Sequence, residues 1–139
     1  MADSLLLQLV SPERSLVEEH VADVQIPALD GFIGVLPGHA PLISELKPGG
    51  VLSYRLTSGG EKFFAIYGGF VEVLPDRVRV LADDAQPREE IDLTKAREEL
   101  DKALAAMQNM HAEAIDPEVA VASMMRAQAK VDAATAAKS

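Results

Sequence analysis

Short apolar runs broken by explicit turn signals fill the first 87 positions of the chain, at residues 5–10, 21–26, 32–36, 51–56, 63–67, 70–74 and 78–81. The breaks are Ser11-Pro12, Pro48-Gly49-Gly50, Ser58-Gly59-Gly60 and Pro75-Asp76, residue types that preset φ or let it turn positive. Many short strands at this spacing predict a sandwich or a barrel. Alternation in Val71-Glu72-Val73 and Val78-Arg79-Val80 gives each run one buried and one wet face. No long helical pattern separates the runs, which argues against a parallel α/β sheet.

Residues 31–42 hold two prolines and three glycines in twelve positions, and no regular helix tolerates that density. Pro37 and Gly38 suit the second and third positions of a type II turn. The apolar residues Phe32, Ile33, Val35 and Leu36 before the turn, and Leu42 and Ile43 after it, predict two short strands folded around it.

After Pro87 the pattern changes. All nine glycines and seven of the eight prolines lie at or before that residue, whereas positions 88–139 contain fourteen alanines and one proline. Two domains are expected, a β-module over 1–87 and a helical hairpin over 88–139. Asp92 is a candidate N-cap for a first helix with the stripe Leu93, Ala96, Leu100, Leu104 and Met107. Asp116-Pro117 starts a second, with Pro at the first helical position and the stripe Ala120, Met124, Ala127, Val131 and Ala134. Alanine stripes bury little area, so at ~25 cal/mol per Å² the hairpin interface is worth only a few kcal/mol.

Composition narrows the chemistry. A formal charge of −9 argues against nucleic acid and anionic lipid as partners, and two Tyr, four Phe and no Trp leave no stacking platform for bases. Without cysteine, disulfides and thiolate metal sites are excluded. No apolar run reaches the length of a membrane span, so direct membrane insertion is not expected. The sequence lacks a phosphate-cradling G-x-x-x-x-G-K-[ST] loop, a G-x-S-x-G elbow and an H-E-x-x-H pair. His20, His39 and His111 have no ligand spacing, and Glu18-Glu19, Asp83-Asp84 and Glu98-Glu99 read as solvated charge. A hydrolase on a β-fold has no constellation to support it.

The stretch Pro37-Gly38-His39-Ala40-Pro41-Leu42 closely resembles a signature of the epsilon subunit of bacterial F-type ATP synthases. Leu9-Val10-Ser11-Pro12-Glu13-Arg14 resembles that family's first strand and turn, Gly68-Gly69-Phe70-Val71-Glu72-Val73 its paired-glycine strand, and Val80-Leu81-Ala82-Asp83 the end of its β-domain. Ile91-Asp92 with Lys95-Ala96 looks like the start of its helical tail. The resemblance implies an N-terminal β-sandwich of two antiparallel sheets and about ten strands, then an antiparallel two-helix hairpin. It implies a non-catalytic rotor subunit of the central stalk, linking the gamma subunit to the c-ring and coupling proton flow to ATP synthesis. The location implied is peripheral, on the cytoplasmic side of a bacterial membrane, since no Arg-rich, acid-poor presequence is visible.

Residue by residue, the resemblance sets Ser11, His39, Ala40 and Leu42 near gamma, and Gly31 and Phe32 toward the c-ring. Several relatives carry an acid where this chain has Phe32, which replaces polar pairing by apolar contact. Asp92, Lys95, Ala96, Lys102, Arg126 and Lys130 match a regulatory ATP-binding motif. Lysine stands for arginine at three of these positions, and Gln86 replaces an acid that precedes the motif. Lysine keeps the charge but loses the bidentate fork, so ATP binding is expected to be weak. The tail implies contact with the alpha and beta subunits and a brake on ATP hydrolysis. That brake is expected to be weak, because from His111 onward Arg126, Lys130 and Lys138 meet four carboxylates, Glu113, Asp116, Glu118 and Asp132. The alternative is a stand-alone β-sandwich that binds a small ligand and dimerises through its helical tail.

Overall fold

The computed structural model describes residues 4–109 and 116–136. Among them are nine strands: β1 (Leu5–Val10), β2 (Ser15–Ala28), β3 (Gly31–Val35), β4 (Leu42–Glu45), β5 (Gly50–Leu56), β6 (Glu61–Ile66), β7 (Gly69–Val73), β8 (Arg77–Ala82) and β9 (Ala85–Pro87). A short 3-10 turn at Arg88–Glu90 leads to α1 (Leu93–Gln108) and α2 (Pro117–Thr135). His111 lies outside the described residues.

Strand β2 is 14 residues long and belongs to both layers of the sandwich. Its first half pairs with β1, which continues to β8, β7 and β4, while its second half pairs with β3 on one edge and with β5, β6 and β9 on the other. The register shifts between Val21 and Asp23, where the strand passes from one layer to the next. Such an irregularity bends a strand and raises its twist. The fold is the expected β-sandwich with a helical hairpin, built from nine strands in one connected ladder. One pairing, β1 with β8, is parallel.

The core follows from alternation. Leu5, Leu7 and Leu9 of β1 are fully buried, as are Val78 and Val80 of β8 and Val71 and Val73 of β7, and they meet Val24, Ile26, Leu52, Tyr54 and Ile66 from the other layer in one cluster. The first half of β2 escapes a reading of apolar runs because Glu18, Glu19 and His20 interrupt it. Strand β9 escapes because it is three residues long.

The turn at Pro37-Gly38 forms as expected: the His39 amide donates to the Leu36 carbonyl at 3.1 Å, with Gly38 at φ 90°. The strands around it do not form a hairpin. β3 pairs with β2 and β4 pairs with β7, so the turn is a corner at which the chain changes layers. The Gly38 amide donates to the Pro75 carbonyl at 2.8 Å, tying this corner to the β7–β8 turn.

Both helix caps fall where expected. The Asp92 carboxylate accepts from the Lys95 amide at 3.2 Å, and the Asp116 carboxylate from the Glu118 amide at 2.9 Å with Pro117 at the first helical position. Leu104, expected in the α1 stripe, is 42% exposed; Ala96 is buried, and Leu100, Ala103 and Met107 are partly buried at the same helical spacing. Helix α2 has a second buried side. Ala129 and Ala133 pack on Ala65 and Tyr67 of the sandwich, with Val51 and Ile91 against them. Arg88 donates to the Ala136 carbonyl at 2.6 Å, fastening the end of α2 to the start of the helical region.

A Cβ on Gly69 would lie 2.1 Å from the Leu81 carbonyl oxygen, and the residue has φ +121°. Gly69→Ala therefore combines a backbone clash with a strained φ, and is expected to cost about 2–3 kcal/mol. Urea unfolding should show a lower midpoint at unchanged m-value, and an unaltered midpoint would refute the strain.

Candidate functional site

Three groups of residues stand out. The first is the corner at Gly31 and Phe32, at the start of β3. Phe32 is 63% exposed, on an outward position of an edge strand. The Lys47 ammonium lies 5.5 Å above its ring, so the corner presents an aromatic face beside one positive charge.

The second group lies on the layer β4-β7-β8-β1. Leu42, Val73, Val78 and Leu7 are in register at one end of these strands; Glu45, Phe70, Leu81 and Val10 are in register three residues further along. His39 and Ala40 precede the first row and Ser11 follows the second. They therefore occupy diagonal corners of one layer, ~14 Å apart across the strands at the usual spacing of ~4.8 Å and offset by at least a further ~10 Å along them. Ser11 is held in its turn by its amide, which donates to the Arg14 carbonyl at 2.9 Å. The His39 Nδ1 lies 2.7 Å from the Ala40 carbonyl oxygen, so the ring is satisfied by local backbone. Leu42 packs partly against the core.

Between those corners the outward positions carry Ile43, Phe70 and Leu81, exposed at 73%, 52% and 51%. Exposed apolar residues grouped on one sheet face mark contact surfaces. Sequence reading missed them, although the signal was present: Phe70 shares the wet side of its alternation with Glu72.

The third group is the hairpin groove. Lys102, Arg126 and Lys130 line a cavity of about 480 Å³ between α1 and α2, together with Glu99, Ala103 and Ser123. Asp92, Lys95 and Ala96 do not join them there: Asp92 caps α1, Lys95 is exposed and Ala96 is buried in the packing. Two of these three cations already have partners. Lys130 pairs with Glu99 at 2.8 Å, and the Arg126 guanidinium stacks 4.7 Å from the Tyr67 ring, with Lys130 at 5.8 Å from it. Tyr67 donates to Gln86 Oε1 at 2.8 Å. Burial pushes its hydroxyl well above the usual tyrosine range, despite the lowering pull of Arg126, so it stays a donor throughout the physiological range.

No group of three or more His, Asp or Glu among the described residues could hold a metal ion. No helix among them is long and apolar enough to cross a membrane.

Residues 4–88 match the family model for the ATP synthase delta/epsilon chain β-sandwich domain. The chain is 46% identical over 131 residues to the ATP synthase epsilon chain of Solibacter usitatus, covering 94% of this chain and 96% of that one. The chain belongs to the ATP synthase epsilon chain family. A second family member, from Desulfitobacterium hafniense strain Y51, is 41% identical over 137 residues, covering 96% of this chain and 98% of that one. Among solved structures, a chain of the Euglena gracilis mitochondrial ATP synthase OSCP/F1/c-ring assembly is similar at a TM-score of 0.76 and 28% identity, over 96% of this chain and 80% of that one. A chain from the central stalk and c-ring of the Tetrahymena thermophila enzyme shares the fold at a TM-score of 0.52 and 19% identity, over 62% of this chain and 68% of that one. The epsilon chain is a non-catalytic subunit of the rotary complex. The stand-alone ligand-binding alternative is not favoured.

Tyr67 is the sandwich residue on which α2 places its two cations. Tyr67→Leu keeps an apolar side chain there but removes the cation–π contacts and the hydrogen bond to Gln86, together expected to cost about 1–3 kcal/mol. Limited proteolysis should then cut α2 several-fold faster than in the wild type while strands β1–β8 stay protected. Equal rates would show that Tyr67 does not hold the hairpin.

Proposed function

We propose that this chain works in the central stalk of a proton-translocating F-type ATP synthase, bridging the gamma subunit and the c-ring on the cytoplasmic side of a bacterial membrane. The observation that carries the reading is the pair of exposed apolar surfaces on a sandwich whose family belongs to that enzyme. The gamma subunit is assigned to the layer framed by Ser11 at one corner and His39, Ala40 and Leu42 at the other, with Ile43, Phe70 and Leu81 as its apolar centre. The c-ring is assigned to Gly31 and Phe32. A rotor part must grip two neighbours at once without dissociating, and desolvated apolar contact supplies that better than exposed ion pairs.

The hairpin is assigned a minor regulatory part. Any ATP in the groove would have to draw Arg126 from Tyr67 and Lys130 from Glu99, and Lys102 and Lys130 offer point charges instead of forks. Contact of the tail with the alpha and beta subunits is weakened by its own carboxylates, so braking of ATP hydrolysis by this tail is slight.

Two measurements test these assignments. Phe32→Asp should lower ATP-driven proton pumping in reassembled enzyme several-fold while the isolated chain keeps its unfolding midpoint; wild-type pumping would remove the ring assignment. Calorimetric titration of the isolated chain with ATP should show no saturable binding below millimolar concentration, each lost guanidinium fork costing ~1 kcal/mol. Micromolar affinity would overturn the weak-site reading.

A further inference from the structure

Gly49 and Gly50 are pressed against two different parts of the molecule. A Cβ on Gly49 would lie 2.2 Å from the Met125 carbonyl oxygen in α2, and one on Gly50 would lie 2.5 Å from the Cβ of Pro27 in β2. Pro27 is buried and is the cross-strand partner of Phe32. The Lys47 amide donates to the Pro27 carbonyl at 3.0 Å, and the Lys47 ammonium is the charge above the Phe32 ring. Segment 47–50 thus touches the hairpin on one side and the Phe32 corner on the other. Phe32, Lys47, Gly49, Met124 and Met125 line one open groove between them. The nearest atoms at both glycines are rigid ones. Backbone meets backbone at Gly49, and backbone meets a pyrrolidine ring at Gly50. Interiors packed this closely transmit strain, which gives movement on one side a direct physical route to the other.

We propose that segment 47–50 is a relay that couples engagement of the Phe32 corner to docking of α2, so that a partner seated on Phe32 and the docked hairpin alter each other's stability by the same factor. The identity of that partner as the ring rests on the reading above. The mechanical coupling does not, and it is testable in the isolated chain.

Amide hydrogen exchange on the full-length protein reads both ends of the relay. Gly49→Ala is expected to speed exchange of α2 amides from Met125 to Ala133 at least tenfold. It should also speed exchange of the Lys47 amide and of β3 several-fold, with Leu7 and Val78 in the core unchanged. Acceleration confined to α2, or no acceleration there, would overturn the relay. Pro27→Gly, which removes the Cβ facing Gly50, approaches from the other end and keeps the idea open to refutation if the Gly49 variant does not fold. It loosens the seat of Gly50 without touching α2, and should still speed α2 exchange several-fold; wild-type protection of α2 in that variant would refute the coupling. A relay confirmed in this way beside normal pumping by Phe32→Asp would keep the mechanics and discard only the ring as partner.

Discussion

Strand β2 is the member on which the other parts of the fold depend. A sandwich needs its two layers held in a fixed relation, and here a single 14-residue strand with a register shift near Val21 does so through backbone hydrogen bonds. Its two halves set the register of β1, β3 and β5, and through β1 that of β8, β7 and β4. Side-chain burial then follows from period-2 geometry, because each strand in register presents its Val and Leu positions to the same interior. The exposed residues are fixed by the same constraint: Ile43, Phe70 and Leu81 are outward because Leu42, Val71 and Val80 alternate with them on the inner side.

The hairpin is held by a different kind of contact. Alanines on both buried sides of α2 let one helix approach α1 and the sandwich together, with little area gained at each. Specific attachments make up the difference, namely the Arg126 and Lys130 contacts with Tyr67, the Lys130–Glu99 pair and the Arg88 bond to the Ala136 carbonyl. This division of labour separates a permanent core from a lightly held tail. Arg126 and Lys130, which fasten the tail, also line its groove, so any anion that draws on them competes with the docking contacts.

Local signals were legible in the sequence and long-range ones were not. The caps at Asp92 and Asp116 and the turn at Pro37-Gly38 each depend on residues within a few positions, and all three form as expected. The pairing of β3 with β2 and of β4 with β7 could not be read, because a turn fixes a reversal but not the neighbour a strand finds. The second face of α2 was hidden by its alanines, which are compatible with every direction of packing. Among the site residues, Lys102, Arg126 and Lys130 converge across two helices at turn spacing. Asp92 and Lys95 stay at the helix start, where capping already occupies the carboxylate.

The bond from Arg88 to the Ala136 carbonyl brings the end of α2 back to the place where the helical region begins, four residues before Asp92. Both open ends of the hairpin are therefore hinged at one point. With a rise of about 1.5 Å per residue, the 16 residues of α1 make a lever arm of about 24 Å. A rotation of about 10° at that hinge would carry the far end of α1 through about 4 Å. Arg88 is in that sense one fulcrum, and the swing of the tip is limited together by its bond and by the contacts of α2 with Tyr67 and Gly49.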